Sequence, residues 1–585
     1  MKKWSLDSLF TSFDSPEFQT ILVDIEKLIE KMTSFSETAF QNTDHAAEKC
    51  KEYFELSEDL RSKMMRAGAF CQLTMSVETM NEDARKYGNK MQQLGAKTTK
   101  PSTLFSKWVP TIPNLQQLIN EDPVLKEAEY FLNRIVDGSK YLLSDKEEMI
   151  ISKMQSTSST AWGQLQGELT SNLKVDYDGK TITLSEVRNL SSDPSSEVRK
   201  NAYLAELASY PKIAPSIAYA MNGVKGEVNT LSELRGFASP LAQAVHQSRM
   251  NESTLEALLG SMRDYLPHFH KFLNRKAELL GHTNGIPYYD VFAPLGASKK
   301  SFEIDEAMNY IFDNFKTFSP ELENLARRAY AEEWIDFTPR AGKRGGAFCS
   351  NLHAIKESRI LTNFNGSFGN VITLAHELGH AYHGDQIFAE RLINSSYTMP
   401  VAETASTFCE TIVKNAALKD AENDEKIFIL DQSLTGSTQI IVDILSRFNF
   451  ESEVFDKRKT TPLNERMLNE LMIKAQKEAY GSSLDPEYLM PYAWLNKPHY
   501  YRGGLSFYNF PYAFGLLFAK GIYAEFVKKG DAFVNQVNLL LRKTGQMSVE
   551  DVALLVGIDV TSKEFWNSSL DVIVSEIDLF LDLTK

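Results

Sequence analysis

Apolar residues return every third or fourth position along most of this chain, and that spacing commits it to a mainly α-helical fold. Ile21, Leu22, Ile25, Leu28 and Ile29 follow the pattern, as do Leu255, Leu258, Leu259 and Met262. Alternation, the mark of a strand, is rare. It is clearest in Leu173–Tyr177 and Lys180–Leu184, which flank Asp178-Gly179, a dipeptide that favours a tight hairpin turn. Arg359–Phe364 reads as a second short strand, closed by Asn365-Gly366. Beyond the hairpin, Asp193 is placed to cap a helix with Pro194 at its first position. The expected organisation is therefore a helical N-terminal region, 1–190, followed by a second region, 191–585.

Composition excludes several function classes. With 43% hydrophobic residues in 585, the chain has ample apolar surface to bury. Its 63 Lys and Arg against 77 Asp and Glu leave a net charge of −14, without the basic footprint that nucleic-acid binding needs. No apolar stretch follows Met1-Lys2-Lys3, so a secretory signal is not expected. The uncharged run Gly503–Ala519 is interrupted by Asn509 and Pro511 and is too short to span a membrane. Four scattered cysteines, Cys50, Cys71, Cys349 and Cys409, make no disulfide framework and point to a reducing compartment. The expectation is a cytoplasmic protein with neither a nucleic-acid nor a membrane partner. The glycine-rich segment Lys343–Phe348 lacks the GxxxxGK[ST] order of a phosphate-binding loop.

The chemistry concentrates in Thr373–His383, which carries HExxH on a helical pattern. At 100° per residue, His376 and His380 lie about 40° apart and one turn along the axis, so both imidazoles can reach one metal ion. The opposite face, Val371, Leu374, Leu378 and Ala381, is apolar and anchors the helix in the core. Glu377 can flank the ion without binding it, the position a general base for activated water requires. Two nitrogens and an open position suit Zn²⁺. HExxH also occurs by chance in long helices. Here four of the ten histidines fall between residues 353 and 383, which argues for a site. Gly379, which weakens a helix by ~1 kcal/mol relative to Ala, suggests a close approach by another backbone or by substrate.

A third ligand is needed. Positions 383 and 386 are His and Gln, so the HExxHxxGxxH arrangement is excluded. His383 lies about 10.5 Å along the axis from His376 and fits a supporting or core role better than ligation. Downstream, Pro400 suits the first turn of a helix that places Glu403 near its start and Glu410 seven residues on, along the same face. Glu403 would complete a His2Glu site, leaving Glu410 to orient a histidine through its other nitrogen.

Taken together, Gly345-Gly346-Ala347-Phe348, the strand ending in Asn363-Phe364, the whole HExGHxxH set and Ala402–Ser406 resemble the thimet-oligopeptidase family of zinc metallopeptidases. The likeness is closer to its oligoendopeptidase F and PZ-peptidase branch. It runs from about residue 195 to the end, with a weaker likeness in the helical N-terminal part. It implies His376, His380 and Glu403 as ligands of one Zn²⁺ per chain and Glu377 as the base. It also implies a zincin-like helical core that, with the helical N-terminal region and few short strands, encloses a deep cleft.

The segment Lys497–Tyr512 is similar to the stretch that supplies the family's electrophiles. His499 and Tyr508 are thereby implied as donors to the developing oxyanion, with Tyr512 beside them. Tyr508 and Tyr512, four residues apart, are expected to share a helix face, and Pro511 to disturb that helix. Phe510 stands where the branch often has tyrosine.

The function implied is zinc-dependent endohydrolysis of short oligopeptides. The peptide backbone would pair along the edge of strand Arg359–Phe364. Two alternatives remain: a metal-retaining protein that binds peptides without cleaving them, and an aminopeptidase of the HExxH-plus-Glu group. The latter would need a GxMEN segment, which the chain lacks.

Overall fold

A computed structural model describes residues 2–296 and 300–585. The chain is mainly helical, and several of its helices begin at a side-chain cap. Helix α1 (Pro16–Ala39) starts where the Ser15 side chain accepts the Phe18 N–H and Pro16 occupies the first turn. Its Ile21, Leu22, Ile25 and Ile29 are buried with residues of α2 (Ala46–Val77) in an N-terminal core that runs to Leu132. This core is dense in rings. Tyr53 and Phe105 stack with centroids 3.7 Å apart.

The hairpin forms as read. Strands β1 (Lys174–Tyr177) and β2 (Lys180–Thr183) pair antiparallel, with Val175 opposite Ile182. Asp178 and Gly179 have φ of 49° and 70°, the doubly left-handed turn whose twist matches the strands. Helix α3 (Ser196–Ser209), however, begins two residues later than the sequence suggested. Ser195 is its cap, accepting the Val198 N–H, while the Asp193 carboxylate turns onto the Ser195 N–H at 2.8 Å. An aspartate two residues before a serine closes its own local turn first, and the helix starts from the serine. The hairpin, α3 and α4 (Ala214–Leu234) share a second core with Phe450, Trp494, Tyr500 and Tyr501 from far along the chain.

The third and largest core begins with α5 (Glu252–Leu279), where Leu255, Leu258, Leu259 and Met262 are buried as their spacing required. A three-stranded sheet lies between this core and the N-terminal one. Its strands are β3 (Ile335–Asp336), β4 (Phe348–Leu352) and β5 (Glu357–Leu361), in the order β3-β5-β4. Leu352 and Leu361 belong to the N-terminal core and Ile360 to the main one, so the pleat distributes side chains to both.

Two expectations change here. The strand read as 359–364 begins earlier and ends at Leu361, and it is central rather than an edge. Its Ile360 N–H, with that of Thr362 just beyond, donates to Trp334 and Asp336 on the β3 side, and Arg359 and Leu361 face β4. The free edge belongs to β4, where the backbone groups of Cys349 and Asn351 face away from β5. The glycine-rich loop before β4 is tied down by Lys343, whose ammonium donates to the carbonyls of Asp336, Thr338 and Thr362.

The main core is completed by α6 (Phe368–Ile387), α7 (Thr404–Asp420), α8 (Ile444–Arg458), α9 (Phe510–Lys529) and α10 (Lys563–Leu583). Several ion pairs lie wholly inside the fold, among them Lys225 with Glu451 at 2.6 Å and Lys276 with Asp431 at 2.8 Å. All four cysteines are free thiols. No helix among the described residues is long and apolar enough to cross a membrane.

The Lys276–Asp431 pair gives a stability prediction. Removing one partner of a buried pair strands the other charge, typically at ~3–5 kcal/mol. Lys276→Met should therefore lower the thermal midpoint sharply, while Lys276→Met combined with Asp431→Leu recovers much of the loss. A single variant that melts with wild type would show that the pair carries no such weight.

Candidate functional site

Helix α6 begins at Ser367, whose hydroxyl accepts the Asn370 N–H, directly after Gly366 at φ 92°. Val371, Leu374, Leu378 and Ala381 are fully buried, which turns His376 and His380 to the other face, half-buried. The two Nε2 atoms are 3.2 Å apart. Glu403 Oε2 lies 3.3 Å from the first and 3.4 Å from the second. These three donors form the one cluster among the described residues that is close enough to hold a metal ion. Their spacing fits a tetrahedral ion, because bonds of ~2.1 Å at the tetrahedral angle put ligand atoms ~3.4 Å apart.

Glu403 reaches this position because two helices touch. A Cβ on Gly379 would come within 2.6 Å of Ala405 O and of Ser406 Cα. The backbone approach suggested by the glycine is therefore present, and the approaching chain is the start of α7. Glu403 is not inside one continuous helix. Pro400 opens a separate short helix, Met399–Ala402, and Glu403 is the hinge residue before α7. Its Oε2 accepts the Ser406 hydroxyl at 2.8 Å. Gly515 of α9 covers its other flank, where a Cβ would come within 2.9 Å of Glu403 Cβ.

Glu410 accepts from His376 Nδ1 at 2.7 Å, which leaves Nε2 as a lone-pair donor. Burial alone would lower the His376 pKa. The hydrogen bonds and charges of Glu403 and Glu410 outweigh it and raise the value to about 10, the signature of a site that attracts positive charge. For Glu403, burial opposes ionisation, yet its bonds to His376 and His380 hold the pKa far below the usual carboxylate range. Glu377 behaves differently. It is only 5% exposed, burial raises its pKa, and its Oε2 is buried without any hydrogen-bond partner. His383 is a core residue: fully buried, stacked on Tyr397 at 4.3 Å and bonded to Thr544 Oγ1 at 2.9 Å. Burial holds it neutral, with its pKa lowered to about 3.

His499, Tyr508 and Tyr512 form a contiguous group. The His499 and Tyr508 rings are 4.9 Å apart, and Tyr508 and Tyr512 meet edge to face at 5.5 Å. Burial first, then Tyr508 and the negative charge of Glu403, raise the Tyr512 pKa to about 12, so this end of the group faces the metal ligands. Burial, then the charges of Arg447, Arg502 and Lys497, lower the pKa of His499. The two tyrosines do not share a helix face, because α9 starts only at Phe510. Pro511 sits in its first turn, where a missing N–H is harmless, so it begins the helix instead of disturbing it. Phe510 is buried in the core. A cavity of about 250 Å³ beside Tyr508 is also walled by Tyr397, Met399 and Phe507.

One group escaped the sequence reading. Tyr508 follows Phe507, which holds a left-handed φ of 54°. Buried Glu451 fixes that turn: Oε1 accepts the Phe507 N–H at 3.2 Å and the Lys225 ammonium at 2.6 Å, and Oε2 accepts from Asn509 at 3.1 Å. An isolated glutamate in a helical stretch carries no signal of such a role.

Comparison with known proteins matches the chain to a family. The profile described as Peptidase family M3 covers residues 189–572, and that of Oligopeptidase F covers 113–174. The group B oligopeptidase PepB of Streptococcus agalactiae is 24% identical over 588 aligned residues, spanning 97% of this chain and 95% of its own. A Chlamydophila abortus crystal structure ascribed to a peptidase superposes with a TM-score of 0.83 at 20% identity, covering 100% of this chain and 98% of that one. Oligoendopeptidase-F of Enterococcus faecium gives 0.69 at 18% identity over 97% and 98%.

The contact at Gly379 is testable. In Gly379→Ala the new methyl meets backbone atoms, which cannot swing aside as a side chain could, and such overpacking costs ~1–3 kcal/mol. Displacement of α7 should carry Glu403 with it. The expected result is a lower melting temperature together with metal affinity reduced at least ~10-fold. Wild-type affinity and melting would show that the close approach does not position Glu403.

Proposed function

The chain belongs to peptidase family M3 and is a metalloendopeptidase; from its site we propose a zinc-dependent enzyme that hydrolyses internal bonds of short oligopeptides, with Glu377 as general base. The observation that carries this reading is the pairing of a three-donor cluster with a neighbouring buried carboxylate oxygen that has no partner. An unsatisfied buried acceptor is costly unless it has a task, and beside a metal site that task is to hold and deprotonate water. Zinc held by His376, His380 and Glu403 would polarise the scissile carbonyl and acidify the attacking water.

The protein's own groups do the rest. Glu377, with its pKa raised by burial, accepts the water proton and later delivers it to the leaving amine. Glu410 keeps His376 in the tautomer that presents Nε2. His499 and Tyr508 donate to the oxyanion, and Tyr512 stands next to Tyr508 on the side of Glu403. The substrate backbone pairs with the free edge of β4 at Cys349 and Asn351, since β5 is occupied on both sides. Strand addition reads backbone and leaves side-chain preference broad. Four free thiols and a net charge of −14 support work in a reducing cytoplasm on peptides, without nucleic acid or membrane.

Two experiments test the assignment. Purified protein should carry about one zinc per chain. His380→Ala should abolish retention and Glu403→Gln should weaken it. Glu377→Gln should keep the metal yet lose ~10² to 10⁴ in rate on an internally quenched peptide blocked at its N-terminus. A Glu377→Gln enzyme that loses zinc, or one that cleaves normally, would remove the role given to Glu377. For the oxyanion, Tyr508→Phe should lower kcat by ~10² or more with KM and zinc content near wild type, because that bond exists mainly in the transition state. The same change at Tyr512 should cost less. Normal turnover by Tyr508→Phe would transfer the role to His499 or Tyr512.

A further inference from the structure

Next to the oxyanion donors lies a second, cationic cavity of about 270 Å³, walled by Arg188, Arg199, Tyr288, Asp443, Arg447 and Lys497 among others. Three of its cations have their own carboxylates. Arg188 lies 3.3 Å from Glu206, Arg199 is 2.6 Å from Asp290, and Arg447 is paired with Asp443. Lys497 is the exception. It is half-buried on the cavity wall and has no hydrogen bond or ion-pair partner among the described residues. The Tyr288 hydroxyl across the same cavity likewise makes no hydrogen bond among them. The carboxylates whose charges reach Lys497, Asp443 and Glu206, are already paired with Arg447 and Arg188. An ammonium withdrawn from water without a contacting counter-ion is unfavourable, and a bound anion relieves it.

Resting on the peptidase reading above, we propose that this cavity is a substrate subsite in which Lys497 and Tyr288 bind a carboxylate of the peptide. Position supports it. Lys497 stands two residues before His499, so their Cα atoms are at most ~7.6 Å apart. The charges of Arg447 and Lys497 reach the His499 ring. A carboxylate held here is thus within a few residues of the bond being cut. Burial, followed by the Arg447 charge, lowers the Lys497 pKa to about 8, so the ammonium is present at neutral pH but poorly stabilised until an anion arrives. Two sources offer that chemistry: the free C-terminus of a short peptide, or an Asp or Glu side chain. The first would make the enzyme measure its cut from the peptide's end.

The test compares internally quenched, N-terminally blocked peptides in two arms. One arm pairs a C-terminal acid with its amide. The other pairs Asp with Asn near the end of amidated peptides. In at least one arm the wild-type enzyme should prefer the carboxylate by ~10- to 100-fold in kcat/KM, the usual size of a charge-assisted hydrogen bond. The favoured arm identifies the source. Lys497→Gln should bring that ratio close to one, and Tyr288→Phe, which keeps ring volume, should lower it several-fold. No preference in either arm, or a ratio that survives Lys497→Gln, overturns the subsite. Calorimetry with the Glu377→Gln protein and an uncharged-side-chain peptide, as acid and as amide, separates this from the catalytic reading. The Asp and Asn pair of amidated peptides is titrated in the same way. Tighter binding of the carboxylate member in at least one pair upholds the subsite even if no peptide is cleaved, and equal binding in both pairs overturns it.

Discussion

Two backbones in contact set the geometry on which this enzyme depends. Helix α6 brings its two imidazoles to one face by its own pitch, but a third donor must arrive from outside it. Glu403 is a short side chain, and it reaches the Nε2 atoms only because Ala405 and Ser406 lie directly against Gly379. Any side chain at 379 would hold the helices farther apart. The ~1 kcal/mol of helix stability given up by a mid-helix glycine is small beside the loss of a metal ligand. Gly515 repeats the device on the other flank of Glu403, so the ligand is clasped by two helices that lack side chains where they pass it.

Electrostatics then divides three neighbouring carboxylates into roles. Glu403 and Glu410 sit against His376 and are held ionised despite burial, which makes the site receptive to a cation. Glu377, one residue from a ligand, has no hydrogen-bond donor for Oε2, and burial raises its pKa. Two carboxylates are held ionised beside the imidazole, and the third, the base in our proposal, is not. The difference arises from contacts, since all are glutamates on packed helices.

How legible this was in the sequence depended on how local each feature is. His376, Glu377 and His380 fall within five residues at helical spacing, and Glu403 and Glu410 follow at the start of the next long helix and within it. Local pattern therefore exposed the whole cluster, and the Asp-Gly hairpin likewise. The sheet was read less well. Strand β3 is two residues long, too short for any period, and β4 is Phe-Cys-Ser-Asn-Leu, polar at its centre because one edge is free. Only β5, buried in the middle, looked like a strand, and it was mistaken for the edge it supports. Around Tyr508 local propensity misled, because the left-handed Phe507 is held by Glu451, 56 residues earlier. Neither Lys497 nor Tyr288 stood out, since what distinguishes them is a missing partner, which no sequence displays.

The buried Glu451 carboxylate has a kinetic meaning for the maturing chain. All three metal donors and Glu410 come from one contiguous stretch, residues 376 to 410. The Tyr508 turn instead requires Lys225 on α4, Glu451 on α8 and Asn509 to be in register at once. Contacts that join distant segments form later than those within one, because each must first close a long loop. A newly made chain can therefore assemble its three-donor cluster while Tyr508 is not yet held in place. On the mechanism proposed above, full turnover waits until the second core has closed on Glu451, so the donors of the metal cluster are in place before the group that acts on the oxyanion.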